Sequence, residues 1–575
     1  MTDFSLLIGG EAGFGIMTTG AIFSRIATRL GYHIFDYVIY PSLIRGGHNA
    51  YEVHVTEDKN QFLKATYDYI ICLNKETFEK HKQELTNESY VIYDPDEFIV
   101  EGNFKQIQVP FKQILKKLDG QVIMKNTISL GAILALLGSD MNVLKAILEK
   151  QFEKKGESII QFNQKFAEEG YNHVISNYKN EIKLLLIKKD TGEKLVISGN
   201  EAFSLGAAIA DCRVYVAYPM TPASSVQTTL AAWQEKSGMI VRHAEDEISV
   251  INTALGASFA GSRAAVGTSG GGFALMVESI SYAGIAEIPI VIFLAQRPGP
   301  ATGMPTWTEQ GDLLFAVHAG HGEFPKIVLA PGDVGEMVDL TAQAFNLADI
   351  YQTSVLVLSD MLLSESHTSL DKSFVDGIIS QYKVNRGKTV STPSEKPYLR
   401  YKITEDGISE RLIPGYKGVY YQANSYEHLE DGHTSEEAET RIQQVNKRAR
   451  KLTQYLKNDF KGPSLYGDLL NAELVFVSWG ANKGVILKAQ EELIKKNIKT
   501  AFLQFTHVYP LSKEAICPFF NDKSKKFVLI ENNSTGQFGQ LLRMETGVDI
   551  EEKILRYDGR AITVEEIISK VNELN

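Results

Sequence analysis

The amino-acid sequence predicts a multi-domain α/β protein whose sheets are mostly parallel and carry helices on both faces. Three observations lead there. Short apolar runs alternate with helix-like stretches in three separate blocks, and glycine-rich loops join a run to the helix after it. The 575 residues also hold three or four domains of about 150 residues each.

The first block, residues 1–185, opens with FSLLI, GGEAGFG and an amphipathic TTGAIFSRIATRL, which read as strand, glycine loop and helix. YDYIICL and YVIYD continue as strands between helices. The polar, turn-rich IKKDTGEK at 187–194 reads as a linker. The second block runs from KLVISG at 194 to about 385 and carries VYVAYP, AAVGTS, IPIVIFL, PKIVLA and SVLVLSD as strands. Residues 386–465 change character: apolar runs are few, and EEAETRIQQVNKRARKLTQYLKN is a charged helix with a narrow apolar stripe. This stretch is expected to be a connector, or an arm over a neighbour, without a core of its own. The α/β pattern resumes over 466–575, with strands at ELVFVSWG, TAFLQFTHVYP and KFVLIENN. No solenoid-type repeat is evident.

Composition narrows the function classes. The chain is 44% hydrophobic and 22% charged, as an ordinary globular protein is, and its net charge of −11 without a long basic run argues against nucleic acid as a partner. Cys72, Cys212 and Cys517 lie too far apart for a CxxC site or a cluster-binding run, and they do not suggest a disulfide framework. The N-terminus MTDFSLLIGGEAGFG lacks the regions of a signal peptide, and no run of 18 apolar residues offers a membrane span. A reduced, cytoplasmic setting is expected.

The most informative segment is AQRPGPATGMPTWTEQ, 295–310, which follows the apolar run IPIVIFL. Arg297 arrives at the carboxyl end of a strand, where ligands of open α/β sheets sit. Its guanidinium fork suits a carboxylate or phosphate, although a solvated surface loop fits the segment equally well. In VYVAYPMTPASS, 214–225, Tyr218, Pro219, Thr221 and Pro222 stand at another strand end. The prolines stiffen the loop and aim the threonine hydroxyl. Ser224 and Ser225 are placed to cap the next helix, and a capped helix start alone would give the same pattern. In HAEDEISVINTALGASFAG, 243–261, Glu245, Asp246 and Glu247 fall in the first turn of a small-residue helix. The helix dipole explains two of these acids; a third suggests a partly buried group. AAVGTSGGGFALMVESI, 264–280, brings Gly270, Gly271 and Gly272 to a helix start, where their backbone N–H groups suit an anion or cofactor, or merely a tight turn.

In this order and spacing, GNEA (199–202), YPMTPASS, EDEIS, TSGGGFALM and QRPGPATGMPT resemble the α subunit of the 2-oxoacid:ferredoxin oxidoreductases, in the type fused to a γ domain and associated with 2-oxoglutarate. The resemblance covers nearly the whole chain. It implies that the second block is the pyrimidine-binding domain for thiamine diphosphate, in contact with Tyr218, Pro219, Gly270 and Gly271. Glu247 would bond the aminopyrimidine, with Glu245 as the alternative. Thr221 would lie near the reacting carbon, and Arg297 with Thr306 would hold the 2-oxoacid carboxylate. The first block resembles the γ domain, through IGGEAGFGI and YPSLIRGGHNAYEVHV, and links Ser42, Arg45 and Gly46 to coenzyme A. His48 is read as a buried or capping histidine. VSWGANKG, HVYPL and ENNSTGQF resemble a transketolase C-terminal-like domain, expected to serve packing and subunit contact without chemistry. Departures from the family pattern are Ala301 in GPATG where serine is usual, Met220 for isoleucine, and Glu410 where proline is common.

The chain has no GDG motif with a downstream asparagine to hold metal and diphosphate, and three scattered cysteines cannot hold a [4Fe–4S] cluster. No metal ligand is expected here. A partner β subunit is expected to bring the diphosphate domain, Mg2+ and the cluster in an (αβ)2 assembly. The reaction implied is conversion of a 2-oxoacid, most of all 2-oxoglutarate, with CoA and ferredoxin to acyl-CoA, CO2 and reduced ferredoxin. The alternatives are pyruvate, branched-chain or aryl 2-oxoacids as substrate, or a non-catalytic nucleotide-binding subunit, against which Thr221, Glu247 and Arg297 count.

Overall fold

The computed structural model describes residues 2–42, 46–59 and 62–574 and divides into two compact units. The first comprises Met1–Ile197 with Glu365–Phe374 and Thr563–Glu565. Its strands are β1 (Asp3–Glu11), β2 (His33–Ile39), β3 (His48–Thr56), β4 (Tyr67–Cys72), β5 (Leu85–Tyr93), β6 (Lys105–Gln108) and β7 (Lys194–Ser198). They form one sheet in the order β6-β5-β4-β1-β3-β2, followed by the strand His367–Asp371 and then β7. Central β1 lies between parallel β4 and antiparallel β3 and is buried except at its two ends. That two-sided burial is why FSLLI reads as an unbroken apolar run.

Three expectations change here. Gly9 and Gly10 are not loop residues but the end of β1, where a Cβ on Gly9 would stand 2.4 Å from Thr77 Cγ2. Close packing under a helix, not a turn, requires them; only Gly13 and Gly15, with φ of 91° and 79°, form the loop. The 187–194 stretch is docked on its own unit, with Lys189 N–H donating to Leu30 O and Thr191 Oγ1 to Gly31 O, each at 2.8 Å. The strand Lys194–Ser198, expected to open the second block, instead joins the first sheet, held there also by Lys194 Nζ at 2.9 Å from Asp371 Oδ1. A five-residue strand carries no sign of which sheet it will join.

The second unit comprises Ser198–Ser364, Val375–Ile562 and Glu566–Asn575. Its main strands are β8 (Val214–Ala217), β9 (Ile240–His243), β10 (Ala264–Thr268), β11 (Ile290–Gln296), β12 (Lys326–Leu329) and β13 (Ser354–Asp360). They run in the order β12-β13-β11-β10-β8-β9, all parallel, with the strand His507–Tyr509 antiparallel at the β12 edge. A five-stranded sheet is built from Ser464–Gly467, Thr500–Phe505, Leu474–Trp479, Lys526–Glu531 and Glu552–Leu555 in that order. Val266, Leu294 and Leu358 share one apolar cluster with Val475, Trp479, Leu503 and Phe538, so the two sheets have a common core.

The connector's helix Ala438–Asn458 packs inside this unit and turns cations inward: Lys447 and Lys451 Nζ lie 2.5 Å from the two carboxylate oxygens of fully buried Glu287. Arg400 donates to Glu287 O at 2.9 Å. These ammonium groups hold the Glu287 carboxyl far below the usual range against the effect of burial. A charged helix looks solvent-facing in sequence, but matched charges are buried when each has a partner.

A different buried acid lies in the first unit. Glu52 on β3 is pushed up to about 8 by burial, and Tyr67 Oη donates to it at 3.1 Å. The folded chain therefore holds this proton more tightly than the unfolded chain, so stability is greatest below the ordinary carboxyl range and falls as pH rises towards about 8. Glu52→Gln should flatten that fall, by about 1.4 kcal/mol for each pH unit over which only the folded state is protonated. Thermal denaturation of both proteins between about pH 5 and 8 checks this, and parallel losses would remove Glu52 as the cause.

Candidate active site

Because β8, β10 and β11 are parallel neighbours, the residues after them emerge along one edge of the sheet. These are Tyr218–Thr221 after β8, Ser269–Gly272 after β10 and Arg297 after β11. Glu247 comes to this region at the start of the helix Glu247–Phe259.

The three acids before that helix have three different states. Asp246 is the N-cap and accepts from Ser249 N–H at 2.7 Å. Glu245 is exposed and accepts from Ser249 Oγ at 3.1 Å. Glu247 alone is buried, 4% exposed, and its Oε1 has no hydrogen-bond partner. A Cβ at Gly272 would stand 2.6 Å from that oxygen and 2.2 Å from Thr268 Oγ1, so only glycine fits there. Gly270 in turn admits Asp312, whose Oδ2 lies 2.5 Å from the Cβ position, and Gly271 has only Ala301 O nearby, at 3.9 Å. The helix Gly270–Ile285 has no side-chain cap, and Ser269 Oγ is buried without a partner. Its first N–H groups are thus left for a ligand.

Arg297 is half-buried and donates from Nη1 to Thr221 O at 2.7 Å. Burial works against its charge and the Asp312 carboxylate works for it. The loop after it folds back tightly: Met304 N–H donates to Pro298 O at 3.0 Å, and a Cβ on Gly303 would meet that oxygen at 1.8 Å. Ala301 has φ of 54°, the left-handed region, at a cost of about 1–2 kcal/mol for a residue with a Cβ. Thr306 is buried and its hydroxyl is unpaired. Arg297 is bonded to Thr221, not to Thr306. Tyr218 and Pro219 are exposed, the tyrosine ring edge-on to His243 at 6.0 Å between centroids.

The expected serine caps do not form. The helix Ser224–Ser237 has Ala223 as N-cap, because a turn from Met220 O to Ala223 N–H already places both serines inside the helix. Ser225 Oγ instead accepts from Asn200 Nδ2 at 2.6 Å. In the first unit Ser42 and Gly46 are exposed, while Arg45 lies outside the described residues. His48 is buried, with Nε2 2.9 Å from His81 Nε2, and His81 Nδ1 is 2.6 Å from Glu84.

Thr268, Gln296, Gln310 and Asp312 belong to this region and were not anticipated. Gln296 Oε1 accepts from Asp312 N–H at 2.9 Å, and its Nε2 donates to Ser359 O at 3.0 Å. Burial pushes the Asp312 carboxyl up to about 6 and that of Glu309 up to about 7. The acids in EQGD, directly after the loop, were the available signal.

Known proteins resemble this chain in sequence and fold. The family model described as pyruvate ferredoxin/flavodoxin oxidoreductase matches residues 5–173, and that described as pyruvate flavodoxin/ferredoxin oxidoreductase, thiamine diphosphate-binding, matches 205–447. The 2-oxoacid:ferredoxin oxidoreductase subunit alpha of a Sulfolobus species is 31% identical, over 98% of this chain and 95% of its own. The 2-oxoglutarate synthase subunit KorA of Methanocaldococcus jannaschii is 33% identical over 59% of this chain and 88% of its own. Among solved structures, 2-oxoglutarate:ferredoxin oxidoreductase from Magnetococcus marinus, with 2-oxoglutarate, coenzyme A and succinyl-CoA bound, has a TM-score of 0.92 at 28% identity, covering 100% of this chain and 99% of that one.

The loop is fixed from the C-terminal side. Gln310 N–H donates to Asn532 O at 2.7 Å and its Nε2 to Trp479 O at 3.1 Å, while Oε1 accepts from Asn482 Nδ2 and Asn532 N–H, both at 3.0 Å. Gln310→Ala leaves these buried groups unpaired and should cost about 3 kcal/mol, read as a lower midpoint in chemical denaturation. A midpoint unchanged from wild type would show the network to be dispensable.

Proposed function

The chain belongs to the family of 2-oxoacid:ferredoxin oxidoreductase α subunits, and on that premise we propose that it provides the half of a shared thiamine diphosphate site that holds the aminopyrimidine and the substrate carboxylate. Its activity is the oxidative decarboxylation of 2-oxoacids. The observation that carries the site reading is Glu247: a buried carboxylate oxygen without a partner, kept open by Gly272, suits an N–H group of the aminopyrimidine.

Bound thiamine diphosphate supplies the carbon nucleophile and the electron sink for decarboxylation. In this reading Glu247 holds a proton at the pyrimidine ring nitrogen, with Glu245 too exposed for the task. Arg297 keeps its remaining N–H groups for the 2-oxoacid carboxylate, and its bond to Thr221 O fixes the fork before substrate arrives, a positioning device. The buried Thr306 hydroxyl donates a further bond to the carboxylate, and Thr221 lies beside the reacting carbon.

We propose 2-oxoglutarate as the substrate, supported by relatives named for it. The overall change is 2-oxoglutarate, CoA and two oxidised ferredoxins to succinyl-CoA, CO2, two reduced ferredoxins and one proton. Coenzyme A would meet the first unit near Ser42, Arg45 and Gly46, where Gly46 has φ of 75° and open space around it. The three cysteines do not form a cluster site, and Cys72 and Cys212 are buried with thiols pushed up by that burial. We assign the [4Fe–4S] cluster and Mg2+ to a partner β subunit in an (αβ)2 assembly. Among the described residues no helix is long and apolar enough to cross a membrane; we place the enzyme in the cytoplasm.

The test is CoA-dependent viologen reduction by the chain purified with its β partner, over a panel of 2-oxoacids. 2-Oxoglutarate should be preferred; a preference for pyruvate, branched or aryl 2-oxoacids would replace that substrate, and no reduction with an intact cluster would sink the proposal. Arg297→Ala should lower kcat/KM by about 10²-fold, mainly through KM, as loss of an anchor worth about 3 kcal/mol. Wild-type kinetics in that variant would remove Arg297 from the site.

A further inference from the structure

Asp312 is not one of the residues to which the proposed function gives a task. Its carboxylate nevertheless favours the charge of Arg297, against the effect of burial. No hydrogen bond or ion pair joins the two: Arg297 bonds to Thr221 O, and the Asp312 carboxyl accepts no hydrogen bond among the described residues. The two nevertheless belong to one edge of the sheet: Asp312 N–H donates to the side chain of Gln296, the residue before Arg297, and the Asp312 carboxyl reaches the helix start at Gly270.

The position of Asp312 is built, not incidental. Its Oδ2 lies where a side chain at residue 270 would be, so Gly270 is what lets the carboxyl reach the start of the helix Gly270–Ile285. Its backbone is pinned by Gln296, the residue before Arg297, at 2.9 Å. The preceding carbonyl, Gly311 O, accepts from Gln537 Nε2 at 2.7 Å. The charged groups that face it are Arg297, after β11, and Glu309, on its own loop. Gln296 and Gln537 are neutral, and the helix start contributes only its dipole.

We propose that Asp312 is the exchangeable counterion of Arg297: ionised, it balances the guanidinium when no substrate is present, and it takes up one proton when a 2-oxoacid carboxylate takes its place. This rests on the reading that Arg297 anchors the substrate carboxylate. A second carboxylate brought to the same half-buried guanidinium disfavours the charge on the first, which raises its hold on a proton. The proton comes from water on binding and returns to water when the carboxylate departs as CO2 and Asp312 ionises again. Asp312 is a positioning residue, acting through Arg297. Burial already brings its carboxyl to about 6, so near neutral pH the switch needs only the added field of the incoming anion.

The test uses the complex with its β partner and 2-oxoglutarate as probe, with kcat/KM measured from about pH 6 to 8.5. Wild-type kcat/KM should fall by up to about tenfold per pH unit above the Asp312 carboxyl range, through KM and not kcat. Asp312→Asn, which keeps the shape beside Gly270, should abolish this slope and give a KM at pH 8 about tenfold or more below wild type. Glu309→Gln should leave the slope in place. A pH-independent KM in the wild type, a slope that survives in Asp312→Asn, an inactive Asp312→Asn, or a slope lost in Glu309→Gln would each overturn the proposal. If Arg297→Ala has no effect on KM, the anchor reading fails first; if it raises KM while Asp312→Asn keeps the wild-type slope, the assignment of Asp312 fails alone.

Discussion

Three adjacent positions without side chains, Gly270 to Gly272, set the distances on which the chemistry of the second unit depends. Each faces a different element: Asp312 at the first, the Ala301 carbonyl at the second, Glu247 and Thr268 at the third. A methyl group at the first or third would fall within 2.6 Å of a polar oxygen, so the acids could not stay where they are. Glycine inside a helix costs about 1 kcal/mol relative to alanine. The helix absorbs that cost because its other face buries Phe273, Met276, Ile280 and Ala283 in the core. The result is a helix start brought against a carboxylate, a strand-end arginine and a folded loop, at the edge where parallel sheets place their ligands.

That loop in turn depends on residues more than 160 positions away. Gln310 is satisfied at both ends by Trp479, Asn482 and Asn532, and Gln537 holds the next carbonyl. Thr308 N–H donates to Gly559 O at 3.2 Å, and Arg560 lies flat on Trp307 with 3.2 Å from its guanidinium carbon to the ring centroid. The C-terminal stretch, expected to serve packing and subunit contact, also holds the shape of the loop that follows Arg297. Directional hydrogen bonds suit this better than apolar contact, since they fix register as well as distance. The connector uses charge for a comparable purpose: Glu287 between Lys447 and Lys451, and Asp349 among Arg263, Arg386 and Arg411, clasp it to the unit.

What the sequence revealed follows from how far apart the partners are. Thr221 and Arg297 were legible because each stands at a strand end marked by local prolines and glycines, and Glu247 because it closes a run of three acids at the start of a small-residue helix. The parallel sheet was legible because strands buried on both faces are written as apolar runs. The inward face of the helix Ala438–Asn458 was not, since its lysines are buried only because Glu287 stands 160 residues earlier. The short β9, IVRH, with an exposed, polar-rich face, gave no apolar signal at all. Asp312 was missed for a different reason: its role comes from the absence of a side chain at Gly270, and no local pattern links the two positions.

Hydrogen-bond satisfaction divides the buried polar groups around the loop that follows Arg297. Gln310, Gln296 and Glu531 are buried and use their polar atoms on backbone and side-chain partners, as groups that only hold a shape should. Glu247 Oε1, Ser269 Oγ and Thr306 Oγ1 are just as buried and have none. An unsatisfied buried group costs about 1–3 kcal/mol, so these three lower stability in a way that apolar replacements would have avoided. They persist on the same edge as an arginine that spends one of its five donors on the chain itself. Under the proposed function that open capacity has a use: a cofactor with N–H groups for Glu247, and an anion for Arg297 and the glycine N–H groups.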